Sequence, residues 1–332
     1  MVTMNDVARL AGVSKMTVSN VVNNRAGVSD PVRRRVLEAI RQSGYRVNLS
    51  ARTLKSGRTG IIGLAVPEIH SPYFGHLAAH VIDEAAQRGF HVAIEQTGAA
   101  AAGEIDAIAH SHTLHFDGLI LSAVELGRED PRLAGAGYPI VMLGERDFGG
   151  RFDHVAMPNE EGTKAATTHL IDRGCRRIAI VTGDALEGVN VVTRRYQGYL
   201  AALAEHGLEP DPGLLFTVGR MTMEAGREAA HRLAGSGREV DGVIAVTDTV
   251  AQGVLRGLAD RGLRVPGDVR IVGFDDIPEA EFMVPSLSTV APDHRWMAAK
   301  AVELLTGRMG APAREAREHT APFELMVRES TT

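Results

Sequence analysis

Apolar residues recur every three or four positions through the first 46 residues, in three short groups separated by turns. This spacing places them on one face of a helix, so the segment is predicted to form three short helices. Thr3 and Asp6 have capping-box spacing at the start of the first helix, and Gly12 ends it. Ser14 is expected to cap the second helix and Ser29 the third. The predicted apolar faces of the second and third helices contain Val18, Val21, Val22, Val32, Val36, Leu37 and Ile40.

From residue 60 onward, apolar runs of strand length alternate with amphipathic stretches of helical length. The predicted strands are Ile61–Val66, Val92–Ile94, Gly118–Leu121, Ile140–Leu143, Ile178–Val181, Leu214–Val218, Val243–Val246 and Ile271–Phe274. The predicted helices include Phe74–Arg88, Glu161–Arg173, Arg195–His206, Glu224–Ala234 and Val250–Arg261. This alternation indicates an α/β fold with parallel sheets covered by helices on both faces. About ten such units over roughly 270 residues favour two sheets over one.

Residues 47–58 form a short basic segment with weak helical character. A single helix of this length is marginally stable in water. The segment is therefore expected to be disordered until another surface supports it.

Charge is divided unevenly along the chain. Residues 1–58 have eleven Lys or Arg against three acids, a net charge of +8, although the whole chain has a net charge of −5. A small basic head on a large acidic body suggests that only the head meets a polyanion.

The hydrophobic content of 44% and charged content of 23% are ordinary for a globular protein. Cys175 is the only cysteine, so no disulfide can form within the chain. The amino terminus lacks the pattern of a signal peptide, and no apolar run approaches the length of a membrane span. We therefore expect a cytoplasmic protein with no membrane partner.

Two helices joined by a tight turn containing glycine are typical of a helix-turn-helix, whose second helix enters the major groove of DNA. The side chains predicted to face base edges are Lys15, Met16, Ser19 and Asn20. Lys can donate to guanine and Asn to adenine, while Met16 offers an apolar contact to a thymine methyl group. Thr17 and Ser29, at or near helix starts, are better suited to phosphate oxygens.

Three segments together resemble the lac repressor (LacI/GalR) family of bacterial regulators: DVARLAGVSKMTVSNVVN, VSDPVRRRVLEAIRQSGY and NLSARTLKSG. The resemblance implies that Leu54 is a wedge inserted into the minor groove, with Arg52 and Lys55 beside it on a basic hinge helix. An apolar side chain on a basic helix can open a base step and kink the duplex. Val47 departs from the family pattern, which usually has proline there.

The resemblance also implies the domain organisation. Residues 1–46 would form an all-α helix-turn-helix head and residues 47–59 a hinge. Residues 60–332 would form a two-lobed, periplasmic-binding-protein-like body with two parallel sheets, used for effector binding and dimerisation. The expected N-lobe is residues 60–158 plus 292–320, and the expected C-lobe is residues 159–291 plus 321–332.

Catalytic and metal-binding patterns are weak. His110, His112 and His115 are spaced so that they do not share one helix face, and a solvated face is the favoured interpretation. Arg176 and Arg177 follow Cys175 and would lower its pKa if they approached it, but this position is more simply a helix–strand turn. No phosphate-binding loop is present. We expect no enzyme activity, no cofactor and no metal site.

Ligands of open α/β sheets lie beyond the carboxyl ends of the strands, so the loops that follow the predicted strands contain the candidate ligand residues. They are Tyr73, Phe74, Ser122, Glu145, Arg146, Arg195, Met221, Thr247, Asp248 and Asp275. Carboxylates and an arginine beside aromatic rings are typical of sites for polyhydroxylated ligands. Phe74, Arg195 and Asp275 also match positions that line the effector cleft of the resembled family. Met221 and Thr247 depart from its common residues, which leaves the ligand's identity open.

These observations predict a sequence-specific repressor that binds a near-palindromic operator as a homodimer. A small effector, of the carbohydrate class, is expected between the lobes; release of DNA and promotion of DNA binding both remain open. One alternative is a solute-binding receptor of the same two-lobed build, which would need an export signal and no basic head. The other is an α/β enzyme with a regulatory head, which would need a nucleophile–base pair or a metal cluster.

Overall fold

The computed structural model describes residues 2–22, 25–45, 58–127, 130–135, 138–311 and 314–332. The chain divides into two compact units, Met1–Thr59 and Gly60–Thr332. The hinge residues Arg52, Leu54 and Lys55 lie outside the described residues, so their predicted roles remain predictions.

Three helices make up the described part of the first unit. They are α1 (Met4–Ala11), α2 (Lys15–Val22) and α3 (Asp30–Ser43). Their core is a small cluster centred on Val7, Val18 and Val36, each completely buried. The all-α head predicted from the apolar spacing is confirmed.

The ends of these helices follow from local side chains. Thr3 and Asp6 form the predicted capping box, in which the Asp6 carboxylate accepts from the Thr3 backbone N–H at 2.9 Å. Gly12 ends α1 in the left-handed conformation, at φ 63°. The Ser14 hydroxyl accepts from the Thr17 backbone N–H at 3.1 Å, as predicted. Ser29 occupies the N-cap position of α3, but its side chain makes no cap hydrogen bond, so the predicted side-chain cap is absent there.

Leu37 differs from its predicted place in the head. It was expected on the apolar face of α3, yet it is 51% exposed. Val36, its neighbour, takes the buried position instead. Because successive helical residues are about 100° apart, the narrow interface in a three-helix head cannot bury both.

The first six-stranded sheet of the body is parallel throughout. Its strand order is β11-β5-β4-β3-β1-β2. The strands are β1 (Ile61–Val66), β2 (His91–Gln96), β3 (Gly118–Ser122), β4 (Ile140–Leu143), β5 (Asp153–Ala156) and β11 (Glu318–Thr320). Helices α4 (Pro72–Gln87), α5 (Ala101–Thr113) and α10 (His294–Gly310) pack with this sheet.

The second sheet also has six strands, in the order β12-β10-β9-β8-β6-β7. Its strands are β6 (Ile178–Gly183), β7 (Leu215–Val218), β8 (Gly242–Ala245), β9 (Arg270–Phe274), β10 (Ser288–Pro292) and β12 (Phe323–Met326). Only β12 runs antiparallel to its neighbour. Helices α6 (Asn159–Asp172), α7 (Val191–Glu205), α8 (Met223–Gly235) and α9 (Asp248–Asp260) cover it. Short 3₁₀ helices lie at Pro131–Gly135, Pro212–Leu214 and Pro278–Phe282.

The chain passes between the two sheets at residues 157–158, at residue 293 and at residues 321–322. Each passage joins a strand of one sheet to an element of the other. The two-lobed α/β body with two parallel-dominated sheets, expected from the alternating pattern, is confirmed.

The sequence pattern missed β5 because two of its four residues are polar. Asp153 is completely buried, which would be costly for an isolated carboxylate. The guanidinium groups of Arg308 and Arg314 lie 2.8 and 2.7 Å from it, and the Arg317 backbone N–H donates to it at 2.9 Å. These partners are more than 150 residues away, so no local pattern reveals the strand.

Candidate effector site and DNA-contact surface

A fully buried arginine is at the centre of the candidate ligand site. Arg195, on α7, is 2% exposed, and its guanidinium stacks 3.5 Å from the centre of the Phe274 ring. It donates to the Asn159 side chain at 2.7 Å, to the Val246 carbonyl, and to an Asp275 carboxylate oxygen at 3.4 Å. A buried guanidinium with this many partners is held in one orientation.

Gly198 allows α7 to reach this position. A Cβ at residue 198 would lie 2.2 Å from the Glu160 carbonyl oxygen on the facing helix α6. Only glycine therefore permits the close helix contact that brings Arg195 to Asn159, the first residue of α6.

Asp275 follows β9 directly and has a left-handed backbone, at φ 117°. Burial raises its pKa to about 6, an effect that the Arg195 guanidinium partly opposes. Asp248 is completely buried nearby; burial, followed by the charge of Asp275, raises its pKa well above the ordinary value. The negative charges of two neighbouring buried carboxylates therefore disfavour each other, and the Arg195 guanidinium lies beside Asp275.

The other sheet contributes residues to the same cluster. Glu145, after β4, accepts from the Met157 backbone N–H at 3.0 Å, and burial raises the pKa of its carboxyl group. Burial raises the pKa of Tyr73, near the start of α4. The charges of Asp275 and Glu145 raise this pKa further, and the charge of Arg195 opposes them. The predicted residues Tyr73, Glu145, Arg195 and Asp275 thus come together from both sheets.

Other predicted ligand residues lie next to this cluster in local roles. Phe74 packs edge-on against Tyr73, with 4.8 Å between ring centres. The Thr247 hydroxyl accepts from the Val250 backbone N–H and so caps α9. Asp248 accepts from the Thr289 hydroxyl at 2.6 Å and from the Ile277 backbone N–H at 3.0 Å. Its side chain therefore joins α9 to the end of the sheet.

Three more of the predicted ligand residues contact mainly residues of their own lobe. Arg146 donates to the Val124 carbonyl and lies 3.6 Å from a Glu125 carboxylate oxygen. Met221 packs close to Gly183 at the end of β6, and Ser122 is buried at the end of β3.

Asn159, Met157 and Phe274 hold Arg195 but were absent from the sequence prediction. Asn159 and Met157 follow β5, the strand whose polar residues concealed it. Phe274 was recognised only as the end of an apolar strand. A cavity of about 410 Å³ is lined by Met157 and Asn159, together with Glu145, Arg194 and Arg317.

The predicted DNA-contact residues lie on α2 and at the start of α3. Lys15 and Met16 are exposed, and Met16 is 65% exposed despite its apolar side chain. Ser19 and Asn20 are partly buried, opposite the buried Val18 side of the helix. An exposed methionine beside a lysine is available for contact with a partner surface.

Thr17 and Ser29 differ in whether their hydroxyls take part in a helix cap. The Thr17 hydroxyl hydrogen bonds to the Ser14 hydroxyl at 2.9 Å, within the cap of α2. Ser29 is exposed and makes no cap bond, so its hydroxyl is better placed for a phosphate oxygen.

Among the described residues, the positions considered above for metal binding and catalysis have the following surroundings. In the described ranges, no group of three or more His, Cys, Asp or Glu side chains is arranged to hold a metal ion. His110 instead pairs with Glu95, with 2.6 Å between Nδ1 and the carboxylate oxygen. Burial raises the pKa of the Cys175 thiol, so Arg176 and Arg177 do not activate it. None of the helices described is both long enough and apolar enough to cross a membrane.

Comparison with known proteins agrees with this geometry. The family of bacterial regulatory proteins of the lacI type matches residues 3–48, and a periplasmic binding protein-like domain matches residues 167–331. Catabolite control protein A of Priestia megaterium is 31% identical over 331 residues, covering 99% of both chains. The ribose operon repressor of Halalkalibacterium halodurans is 31% identical, covering 100% of this chain and 97% of its own.

A solved structure of the transcriptional regulator CelR in complex with cellobiose is also similar. It is 32% identical, covers 99% of this chain and 100% of its own, and superposes with a TM-score of 0.73. The family's members are DNA-binding transcriptional regulators and not enzymes. The basic helix-turn-helix head, the two-lobed body and full-length similarity to these regulators show that the chain belongs to the lacI family of bacterial regulatory proteins.

Proposed function

We propose that the chain is a cytoplasmic, homodimeric repressor whose affinity for a near-palindromic operator is set by a carbohydrate bound between its lobes. The observation that carries the proposal is the buried cluster of Arg195, Asp275 and Glu145, to which both sheets contribute.

The chemistry of this cluster matches a ligand with many hydroxyl groups. Carboxylates accept hydrogen bonds from hydroxyls, and the Arg195 guanidinium donates to their oxygens. Tyr73, Phe74 and Phe274 supply aromatic surface for the apolar faces of a sugar ring. Burial raises the pKa values of Asp248 and Asp275, and a ligand rich in hydroxyl groups would donate hydrogen bonds to both carboxylates.

Relatives of the chain support this ligand class. One is named a ribose operon repressor, and a solved relative contains cellobiose. A repressor controlled by a sugar is therefore the function that agrees with both the side chains and the relatives.

The same cluster supports allosteric control. Tyr73 and Glu145 come from one lobe and Arg195 and Asp275 from the other, so a ligand that contacts all four favours one relative placement of the lobes. A ligand shifts a conformational equilibrium only by its difference in affinity for the two states. Contacts to both lobes provide that difference.

DNA binding is assigned to the head. Lys15, Met16, Ser19 and Asn20 are proposed to contact base edges, and Thr17 and Ser29 to contact phosphates. The hinge residues Arg52, Leu54 and Lys55 are proposed to enter the minor groove when two chains pair on the operator.

The test uses a duplex selected from a random pool by the native chain. Sugars and sugar acids are titrated against this complex, and DNA affinity is measured by fluorescence anisotropy. At least one carbohydrate should change the affinity, and the sign of the change distinguishes an inducer from a corepressor. Asp275→Asn should lose this response and keep DNA binding, whereas the exposed control Asp172→Asn should behave like the native chain. A native response in Asp275→Asn would contradict the proposed ligand site.

A further inference from the structure

Two histidines one helical turn apart face each other on α4. His76 and His80 are both partly buried, and their Nε2 atoms are 3.2 Å apart. Their ring centres are 4.6 Å apart. Residues four positions apart lie on the same helix face, so the helix brings the two imidazoles together. Neither histidine belongs to the Arg195 cluster.

The separation of the two nitrogens is that of two ligands on one metal ion. Zinc–imidazole bonds of about 2.0–2.1 Å at a near-tetrahedral angle place the nitrogens about 3.3 Å apart. The observed 3.2 Å agrees with this value without movement of the helix. The same spacing of two histidines on one helix face provides two zinc ligands in metalloproteases.

A third histidine borders the pair. His294, the first residue of α10, is 5% exposed, and its ring centre lies 5.3 Å from that of His76. Its Nε2 atom is buried and has no hydrogen-bond partner among the described residues. A buried polar atom without a partner is costly, so such atoms commonly mark the position of a ligand or ordered water.

The charges around the histidines also favour a cation. Asp276 and Glu279 from the other lobe act on His76 with their negative charge. These two carboxylates attract a cation bound at His76.

We propose that His76 and His80 bind a divalent transition-metal ion of the class that prefers imidazole, such as Zn²⁺, Co²⁺ or Ni²⁺. The ion has two protein ligands, because the described residues hold no group of three or more ready to coordinate a metal. Water molecules complete the coordination, one of them within reach of the unpaired His294 nitrogen. The site is separate from the proposed carbohydrate site, although His76 lies one turn beyond Tyr73.

The experiment uses the full chain, purified without a histidine tag. Zn²⁺ and Co²⁺ are titrated at pH 7.5 by calorimetry, and Co²⁺ is also followed by its visible absorption. We expect about one ion per chain. His76→Ala and His80→Gln should each weaken metal binding by at least roughly 10–100-fold. That is the loss in affinity when a residue that only orients a metal ligand is removed, so removing a ligand itself should cost no less. His91→Ala, an exposed histidine outside the cluster, should leave it unchanged.

Thermal unfolding provides a second measurement on the same samples. An ion that binds only the folded chain raises its melting temperature, so Zn²⁺ should stabilise the native chain and His91→Ala but not the two site variants. The alternative is that one imidazole simply donates a hydrogen bond to the other. In that case the native chain and His80→Gln would bind Zn²⁺ and Co²⁺ equally, and this result would overturn the proposal.

Discussion

The head and the body present their functional polar side chains in opposite ways. On α2, Lys15 and Met16 are exposed and contribute little to the packing of the three helices. In the body, Arg195 and Asp248 are 2% and 0% exposed and are hydrogen-bonded to several elements. Replacing the proposed DNA-contact side chains should therefore cost the head little stability, whereas replacing the proposed ligand residues should also destabilise the body.

Removal of Arg195 is expected to have the largest effect. Arg195→Ala leaves Asp275 and Asn159 buried without their partner, and breaking a buried ion pair in this way costs about 3–5 kcal/mol. Urea unfolding of the full chain, followed by circular dichroism of the body, measures the loss. Arg194→Ala is the matched control and should change stability by less than about 0.5 kcal/mol. Equal stabilities for the two variants would show that the buried cluster does not support the fold.

Asp275 should make stability depend on pH. Its pKa of about 6 in the folded chain lies above the ordinary value of 3.8, so the folded state binds the proton more tightly. The stability contributed by protonation is full below about pH 4 and is lost as the pH rises to about 6. The shift corresponds to a loss on the order of 3 kcal/mol.

The pH effect is isolated by subtraction. The free energy of unfolding of the native chain, relative to that of Asp275→Asn, should fall between about pH 4 and pH 6 and then level off. A difference that rises over this interval would mean that Arg195 outweighs burial and lowers the pKa of Asp275.

A smaller effect is expected at the cap of α1. Thr3→Ala removes the side-chain oxygen that accepts from the Asp6 backbone N–H, which costs about 1 kcal/mol at a typical N-cap. Hydrogen exchange of the α1–α3 amides should accelerate, while exchange in the body stays unchanged. Thr3→Ser keeps the oxygen and serves as the control. Unchanged exchange in Thr3→Ala would show that packing around Val7 alone holds the helix.

Features of the head and body that depend on nearby residues could be predicted from the sequence. Helix ends in the head depend on side chains within three or four residues, so Thr3, Gly12 and Ser14 were predictable. Strands of the body with continuous apolar runs, such as Ile140–Leu143, were equally clear.

Features that depend on distant partners were missed. Strand β5 was hidden because Asp153 is neutralised by Arg308 and Arg314, far along the chain. Asn159 was missed with it, since a residue is recognised as a strand-end ligand only when its strand is recognised. Ser29 shows the converse case, because its position was right but its hydroxyl makes no cap bond.

DNA affinity and ligand response can be measured together in two full-length variants, on the duplex selected by the native chain. Lys15→Ala/Asn20→Ala changes only the head, and Asp275→Asn changes only the body. The head variant should lose specific DNA binding and still bind the effective carbohydrate. The body variant should bind DNA like the native chain and no longer respond to that carbohydrate. Native-like DNA binding by the head variant would contradict the assignment of DNA recognition to α2.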